Sequence, residues 1–552
     1  MLVLAAGLAA TAVEAQQLPA AVPNSDTAKP GRTGPEIPTT PDFDFSIVAP
    51  HRSAVPRAVD EVHFKLVDIQ IAGATTIPAA AFRPLYDGMI GKDITLGDIL
   101  DVADKIERAY RARGYLLVRA FVPPQRVKNG IFTIHVVEGH LSNVAVDGGD
   151  NAVKRKVRAY MRPALREQPL TMSSMERGLL LANDLPGVGA TGLLKASPDT
   201  PGASDLVVDV TQNPFTGGLA VDNRGSRFSG LWTLSGDVEI NSIFGADQLA
   251  ATVTSSPAST EQIAGSVRYR RAIGDDGLVA SLVGTITHGE PGSTLAKFDV
   301  LTDSWAVGAR LTYPLIRSRA ETLTLDGGFT AQDATVNVAN SHDQWRVIDL
   351  GGSYQRSLSD GILWTSTFDA AQGLPILGAT PDGSLDLSRK PGGSTTFTKL
   401  TGSSRLLLPL WGDFSTMFNV QGQLAFVRLI TGEQIAFGGT QIGRGYDPGA
   451  ITGDDGVGGS AELRYDFHFT NDYIKALQPY VYVDGARAWY LANKAPSSLV
   501  DGHLTSVGGG FRFWLPYNVT GALEGSRTLN AVQGSDGGKQ ATKLLLDLAI
   551  RF

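Results

Sequence analysis

The chain has no cysteine. That excludes disulfide scaffolding and any thiolate metal site. It is compatible with export in an unfolded state, as it is with many cytosolic proteins. Charge is also sparse: charged residues make up 19% of the 552, the net charge is −7, and no basic patch dominates. Nucleic acid is therefore not an expected partner. After the N-terminus no apolar run reaches roughly 18 residues, so no transmembrane helix is expected. A membrane-spanning form of such a chain has to be a closed barrel, because lipid leaves no other way to satisfy backbone groups. Catalytic signatures are missing as well. There is no G-x-S-x-G elbow, no H-E-x-x-H, and no G-x-x-x-x-G-K-[ST] loop, and the eight histidines are scattered. Neither an enzyme, a cofactor nor a metal is expected. Asp454-Asp455, between glycines, reads as a solvated loop rather than a calcium site.

What is present falls into five stretches. Residues 1–15 are apolar and then small, and Val13-Glu14-Ala15 fits a signal-peptide cleavage site. Residues 16–60, rich in Pro, Ala, Thr and Asp, read as a linker and a possible plug segment. Residues 61–140 read as an α+β module. A strand runs from Val62 to Ile71, and a helical stripe (Leu96, Ile99, Leu100, Ala103, Ile106, Tyr110) is capped by Thr95 and stopped at Gly114. Strands follow at Tyr115–Val122 and Ile131–Glu138. Residues 141–212 repeat the plan, with a basic helix carrying Lys154, Arg155, Lys156 and Arg158. That basic run reads as a solvated face, or as one near acidic segments or lipid headgroups. A second helix is expected to open at Ser173, with Glu176 completing a capping box.

From residue 213 to the end, period-2 alternation replaces helical stripes. Trp232, Leu234, Gly236, Val238 and Ile240 share one face. So do Leu278 to Ile286, Trp305 to Tyr313, and Phe414 to Phe426, each taken at every second residue. Segments of about 10 residues, apolar outward and polar inward, are the signature of an antiparallel transmembrane β-barrel. At roughly 20 residues per strand and turn, about 16 strands fit. All seven tryptophans lie here, as interfacial aromatic girdles would require. No blade repeat supports a propeller or a soluble sandwich. Inside such a barrel, Arg444, flanked by Gly443 and Gly445 in a Gly- and Asp-rich loop, is placed to fold back into the lumen. A desolvated guanidinium there needs a carboxylate, and Asp484 on a later strand sits at an inward-compatible position.

With those residues in view, the chain resembles the transporters of two-partner secretion, the TpsB-type haemolysin secretion/activation family (ShlB/FhaC/HecB) of the POTRA–barrel superfamily. The first module carries Tyr110, Gly114-Tyr115, Pro124-Gln125 and Glu138-Gly139, which resemble that family's POTRA motif. Asp222-Asn223 with Gly225 resembles its barrel-entrance hairpin. Gly443-Arg444-Gly445-Tyr446 resembles its Val-Arg-Gly-Tyr loop motif, and Tyr482-Val483-Asp484-Gly485-Ala486 its Phe-x-Asp-x-Gly strand. Two positions depart: Gly443 stands for Val and Ala486 for Gly. The resemblance implies two periplasmic POTRA domains followed by an outer-membrane barrel. It implies a translocator that recognises an unfolded exoprotein with an N-terminal recognition domain and secretes it without nucleotide hydrolysis. Arg444 paired with Asp484, and Tyr446 beside them, would pin the loop in the lumen. A monomer contacting outer-membrane lipid is expected. A barrel-assembly factor of the same superfamily is the alternative, and a passive porin a more distant one.

Overall fold

The computed structural model describes residues 45–47, 63–127, 129–200, 202–256, 261–358, 361–389, 392–469, 472–491, 502–532, 535 and 538–552. The expected signal peptide, and all of the linker except 45–47, lie outside the described residues.

Strand β1 (Phe45–Ile47) comes from that linker. The first module holds β2 (His63–Lys65), β3 (Asp68–Ala72), β4 (Asp93–Thr95), α1 (Leu96–Arg111), β5 (Val118–Phe121) and β6 (Ile131–Glu138). The single strand expected over Val62–Ile71 is therefore two, broken at the buried Leu66. Thr95 caps α1 in a full capping box with Asp98. Ile99, Val102, Ala103, Ile106 and Tyr110 form the buried stripe of α1 against the sheet β3-β6-β5.

The second module holds β7 (His140–Gly148), α2 (Asn151–Tyr160), α3 (Arg162–Arg166), α4 (Met172–Asn183), β8 (Val188–Ala196) and β9 (Ala203–Gln212). Its sheet runs β1-β8-β9-β7, so the linker strand extends it, pairing in parallel with β8. The capping box expected at Ser173 and Glu176 is not formed. Thr171 is the cap, accepting from the Ser174 amide, because Glu167 from the preceding turn binds both the amide and the hydroxyl of Thr171. Glu176 turns outward instead, to Arg319.

Then come the barrel strands, β10 (Phe215–Asp222), β11 (Thr233–Asn241), β12 (Asp247–Ser255), β13 (Gln262–Ile273) and β14 (Leu278–Gly289). They continue with β15 (Thr302–Arg317), β16 (Glu321–Val336), β17 (Ser341–Ser357), β18 (Leu363–Gly373), β19 (Thr398–Pro409) and β20 (Phe414–Ala425). A long loop, 426–454, carries the short hairpin β21 (Ile435–Phe437) and β22 (Ile451–Gly453). The wall resumes with β23 (Asp455–Tyr465), β24 (Phe467–His468), β25 (Ala476–Trp489), β26 (Gly502–Trp514), β27 (Val519–Thr528) and β28 (Thr542–Arg551). β23 and β24 are one strand interrupted at Asp466, and both pair with β25. β28 closes on β10, giving a barrel of sixteen antiparallel strands. The alternation has its physical cause in the two solvents. Ile286, Leu350, Phe368 and Leu424 stand out toward lipid, while Asp349, Glu462, Asp484 and Glu524 on the barrel strands are buried inside. One tryptophan breaks the girdle expectation. Trp345 is 2% exposed and points inward, where its indole N–H donates to Glu433 at 2.7 Å.

Module 2 sits on one end of the barrel, the near end. Asp150 caps α2 through the Ala152 and Val153 amides and accepts from Ser242 in the β11–β12 turn. Arg162 pairs with Asp275 in the next turn at 2.6 Å, and Asp184 takes Arg317 bidentately. The basic helix is thus not a freely solvated face, since the Lys156 ammonium donates to the Gly274 carbonyl.

Candidate functional site

The loop 426–454 leaves the far end of the barrel and runs back into the lumen. Its tip lies against β23, β25, β26 and β27. The wall makes room where its own side chains are smallest. A Cβ at Gly456 would lie 2.8 Å from Ile435, and one at Gly458 2.7 Å from Phe437. Ala486 and Ala488 continue that low strip and join the loop's apolar core of Ile435, Phe437, Ile442, Tyr446 and Ile451.

At the tip, Gly443 has φ +82°, and a Cβ there would meet Leu504 at 2.8 Å. Valine in this conformation is sterically disfavoured, which accounts for glycine at this position. Gly445 lies flat against Ser506 and Ser526, and its amide donates to Ser506. Arg444 between them is 7% exposed. Its amide and Nε donate to Asp484, at 3.1 and 3.4 Å. Its shortest contact is elsewhere, with Nη1 donating to Glu462 at 2.7 Å. Glu524 stands 3.7 Å from the same nitrogen, and the guanidinium carbon lies 3.3 Å from the centre of the Tyr482 ring. Tyr446 donates to the carbonyls of Thr505 and Asn530.

Glu462 is the hub that the sequence reading missed. Arg464 and Arg512 reach it as well, at 2.6 and 2.7 Å. Glu524 accepts from Tyr480 and Tyr482 and meets Arg224, which also pairs with Asp547 at 2.8 Å. Four guanidiniums and four carboxylates therefore share one level of the lumen, so each buried charge is compensated. The signal available was parity. Glu462 has the same inward phase as Arg464, between outward-facing neighbours.

The barrel-entrance residues lie at the closing seam. Asn223 mimics a strand residue, its side chain bonding Leu544 O and Leu546 N of β28. Asp222 accepts from the Arg224 amide, and Gly225 approaches Gly230 so closely that a Cβ would lie 1.9 Å from its carbonyl oxygen. The solvated reading of Asp454-Asp455 is overturned. Asp454 is 0% and Asp455 4% exposed. Arg389, from the far-end loop between β18 and β19, grips Asp454, which also accepts from the amides of Leu429 and Leu491. Asp455 accepts from Ala425 N. This clasp ties the base of the luminal loop to its neighbours. Three further luminal carboxylates, Asp326, Asp349 and Asp369, lie within 4.8 Å of one another. Arg310 sits on Asp326 and Asp349, supplying the positive charge a cation would bring.

In module 1, Tyr110 donates to Glu138 at 2.6 Å, and Glu138 also accepts from Thr75 and Thr76. Gln125 bonds Thr133 at both its N–H and C=O, bracing the turn after Pro124. Gly114 turns the chain at φ +86°, Tyr115 packs edge-on to Tyr110, and a Cβ at Gly139 would overlap Leu117 O. Burial alone would push the Glu138 carboxyl up, but the bonds from Thr75, Tyr110 and Thr76 outweigh it and hold it at about 2. Unfolded, it titrates near its ordinary 4.5. The unfolded state therefore binds more protons between those values. The stabilisation is whole above pH 4.5 and is lost as pH falls toward 2. Glu138→Gln is expected to lower the stability of this module by up to about 3 kcal/mol at neutral pH. Pulse proteolysis of the full-length chain in urea reads the module apart from the barrel. A variant equal to the parent at pH 7 refutes the assignment.

Comparison with known proteins fits this geometry. The profile of the haemolysin secretion/activation proteins ShlB/FhaC/HecB matches residues 202–513, and that of the ShlB-type POTRA domain matches residues 64–139. The chain belongs to the haemolysin secretion/activation family. It is 23% identical over 407 residues to the heme/hemopexin transporter protein HuxB of Haemophilus influenzae strain 86-028NP, covering 72% of this chain and 71% of HuxB. It is 25% identical over 427 residues to the outer membrane transporter CdiB of Dickeya dadantii, covering 73% and 72%. In fold it matches the structure of CdiB from Escherichia coli with a TM-score of 0.70 at 19% identity, over 92% and 93% of the two chains. The protein is an outer-membrane transporter of two-partner secretion, with its POTRA modules in the periplasm and a large secreted exoprotein as partner. The near end of the barrel is accordingly periplasmic.

Proposed function

We propose that the POTRA modules receive the exoprotein as an extended strand and that the barrel passes it outward once the Arg444-anchored loop yields. The observation that carries this reading is the loop itself. It occupies the lumen of a closed barrel, and buried ion pairs rather than covalent links hold it there. Arg444 with Asp484 and Glu462 is the lock, and Tyr446 steadies it.

The receiving edge is supported by β1. Phe45, Ser46 and Ile47 lie opposite Gly192, Leu193 and Leu194 of β8, so that edge already takes an extended segment. Main-chain pairing of this kind tolerates many sequences. β8 begins beside the barrel, where Gly187 O accepts from Asn213 N, so a strand laid along it runs to the barrel mouth. No nucleotide is consumed, and folding of the exoprotein outside biases direction. The transporter works as a monomer in outer-membrane lipid and catalyses no covalent step.

The test is quantitative proteomics of a deletion strain. Loss of one large exoprotein from the supernatant, with an unchanged membrane profile, is the expected result. Depletion of many barrels from the membrane would instead make this chain an assembly factor.

A further inference from the structure

Between module 2 and the barrel wall lies a crevice of about 270 Å³ that the export reading does not use. We infer that it binds the phosphate headgroup of an anionic phospholipid of the inner leaflet. Arg155, Lys156 and Arg162 enter it from α2 and α3, and Arg271 from the near end of β13. Among the described residues Asp275 is the one carboxylate lining it, and that group is engaged by Arg162 at 2.6 Å. Asp247 lies across the ladder from Arg271, its oxygens accepting from Phe244 N and the Tyr269 hydroxyl. Four cations face these two carboxylates, so positive charge is left over in a concave site, which favours an anion.

Position decides which anion. Arg271 falls on the same phase of β13 as Ile263 and Val267, which are exposed on the lipid-facing wall. An arginine at the rim of that wall extends its head to the level of the lipid phosphates. Phe244, in the turn that forms another side of the crevice, is 72% exposed, an apolar group suited to the acyl region beside a bound headgroup. The volume accommodates a headgroup and leaves the acyl chains in the bilayer. Because its walls come from both bodies, a bound lipid would bridge the module to the barrel. The inference rests on the membrane location of the barrel and not on export.

The test places full-length protein in nanodiscs of phosphatidylcholine alone or with one fifth phosphatidylglycerol, and counts retained lipid by native mass spectrometry. Arg155→Gln with Arg271→Gln removes two exposed cations that make none of the inter-body bonds described above. Lys154→Gln, on the same helix but outside the crevice, is the control. The expected result is preferential retention of phosphatidylglycerol by the parent and the control, reduced about tenfold in the double variant. Heat-modifiable mobility on gels verifies that each barrel is folded. Equal retention by parent and double variant overturns the site. Displacement of the lipid by 10 mM inorganic phosphate, or phosphate adducts without lipid, overturns the lipid assignment in favour of a free-anion site.

Discussion

Arg444→Ala is expected to cut exoprotein secretion by about a hundredfold while the barrel still assembles. Removing one member of a buried ion cluster costs about 3–5 kcal/mol, and 1.4 kcal/mol is about tenfold in population. The loop loses its bonds to Glu462 and Asp484 and its stacking on Tyr482 together, so it keeps no single seat from which the exoprotein can displace it and obstructs the lumen instead. The sixteen-strand wall keeps its ladder, because the loop contributes no wall strand. Immunoblotting of supernatant against heat-modifiable mobility in the membrane separates the two effects. Arg444→Lys should recover only part of the loss, since an ammonium cannot serve two carboxylates and an aromatic face at once. Parental secretion by the alanine variant would remove Arg444 from the mechanism.

The second large effect falls on the wall rather than the loop. Glu462→Gln leaves Arg444, Arg464 and Arg512 facing one another with their common carboxylate gone. Like charges in a low-dielectric lumen repel, so this variant should destabilise the barrel itself, by about 3–5 kcal/mol. The readout is the temperature at which the folded band converts to the unfolded one. Adding Arg464→Gln should restore part of the loss, giving a coupling energy of opposite sign to the single effects. A single variant as heat-resistant as the parent would mean that the three arginines find other partners.

Why was Arg444 legible when its main partner was not? Its glycine neighbours and the strand carrying Asp484 are local signals, readable along the chain. Glu462 is one inward residue among many, and its meaning arises only when the registers of β23, β25, β26 and β27 bring distant residues to one level. The barrel was readable because lipid and lumen impose a period of two on every strand. Asp454 was misread because a Gly-Asp-Asp-Gly stretch normally turns in water, and nothing nearby announces that Arg389, from another loop, will bury it. The α4 cap went to Thr171 for a similar reason: three hydroxyl residues, Thr171, Ser173 and Ser174, compete within four positions, and Glu167 decides among them.

Gly456, Gly458, Ala486 and Ala488 give the loop its seat, and the same residues set what its departure leaves behind. On the proposed mechanism the vacated strip is a run of glycine and alanine on the lumen wall. An unfolded polypeptide sliding there meets few side chains to catch on. The seat of the loop thus becomes a smooth lane for the exoprotein.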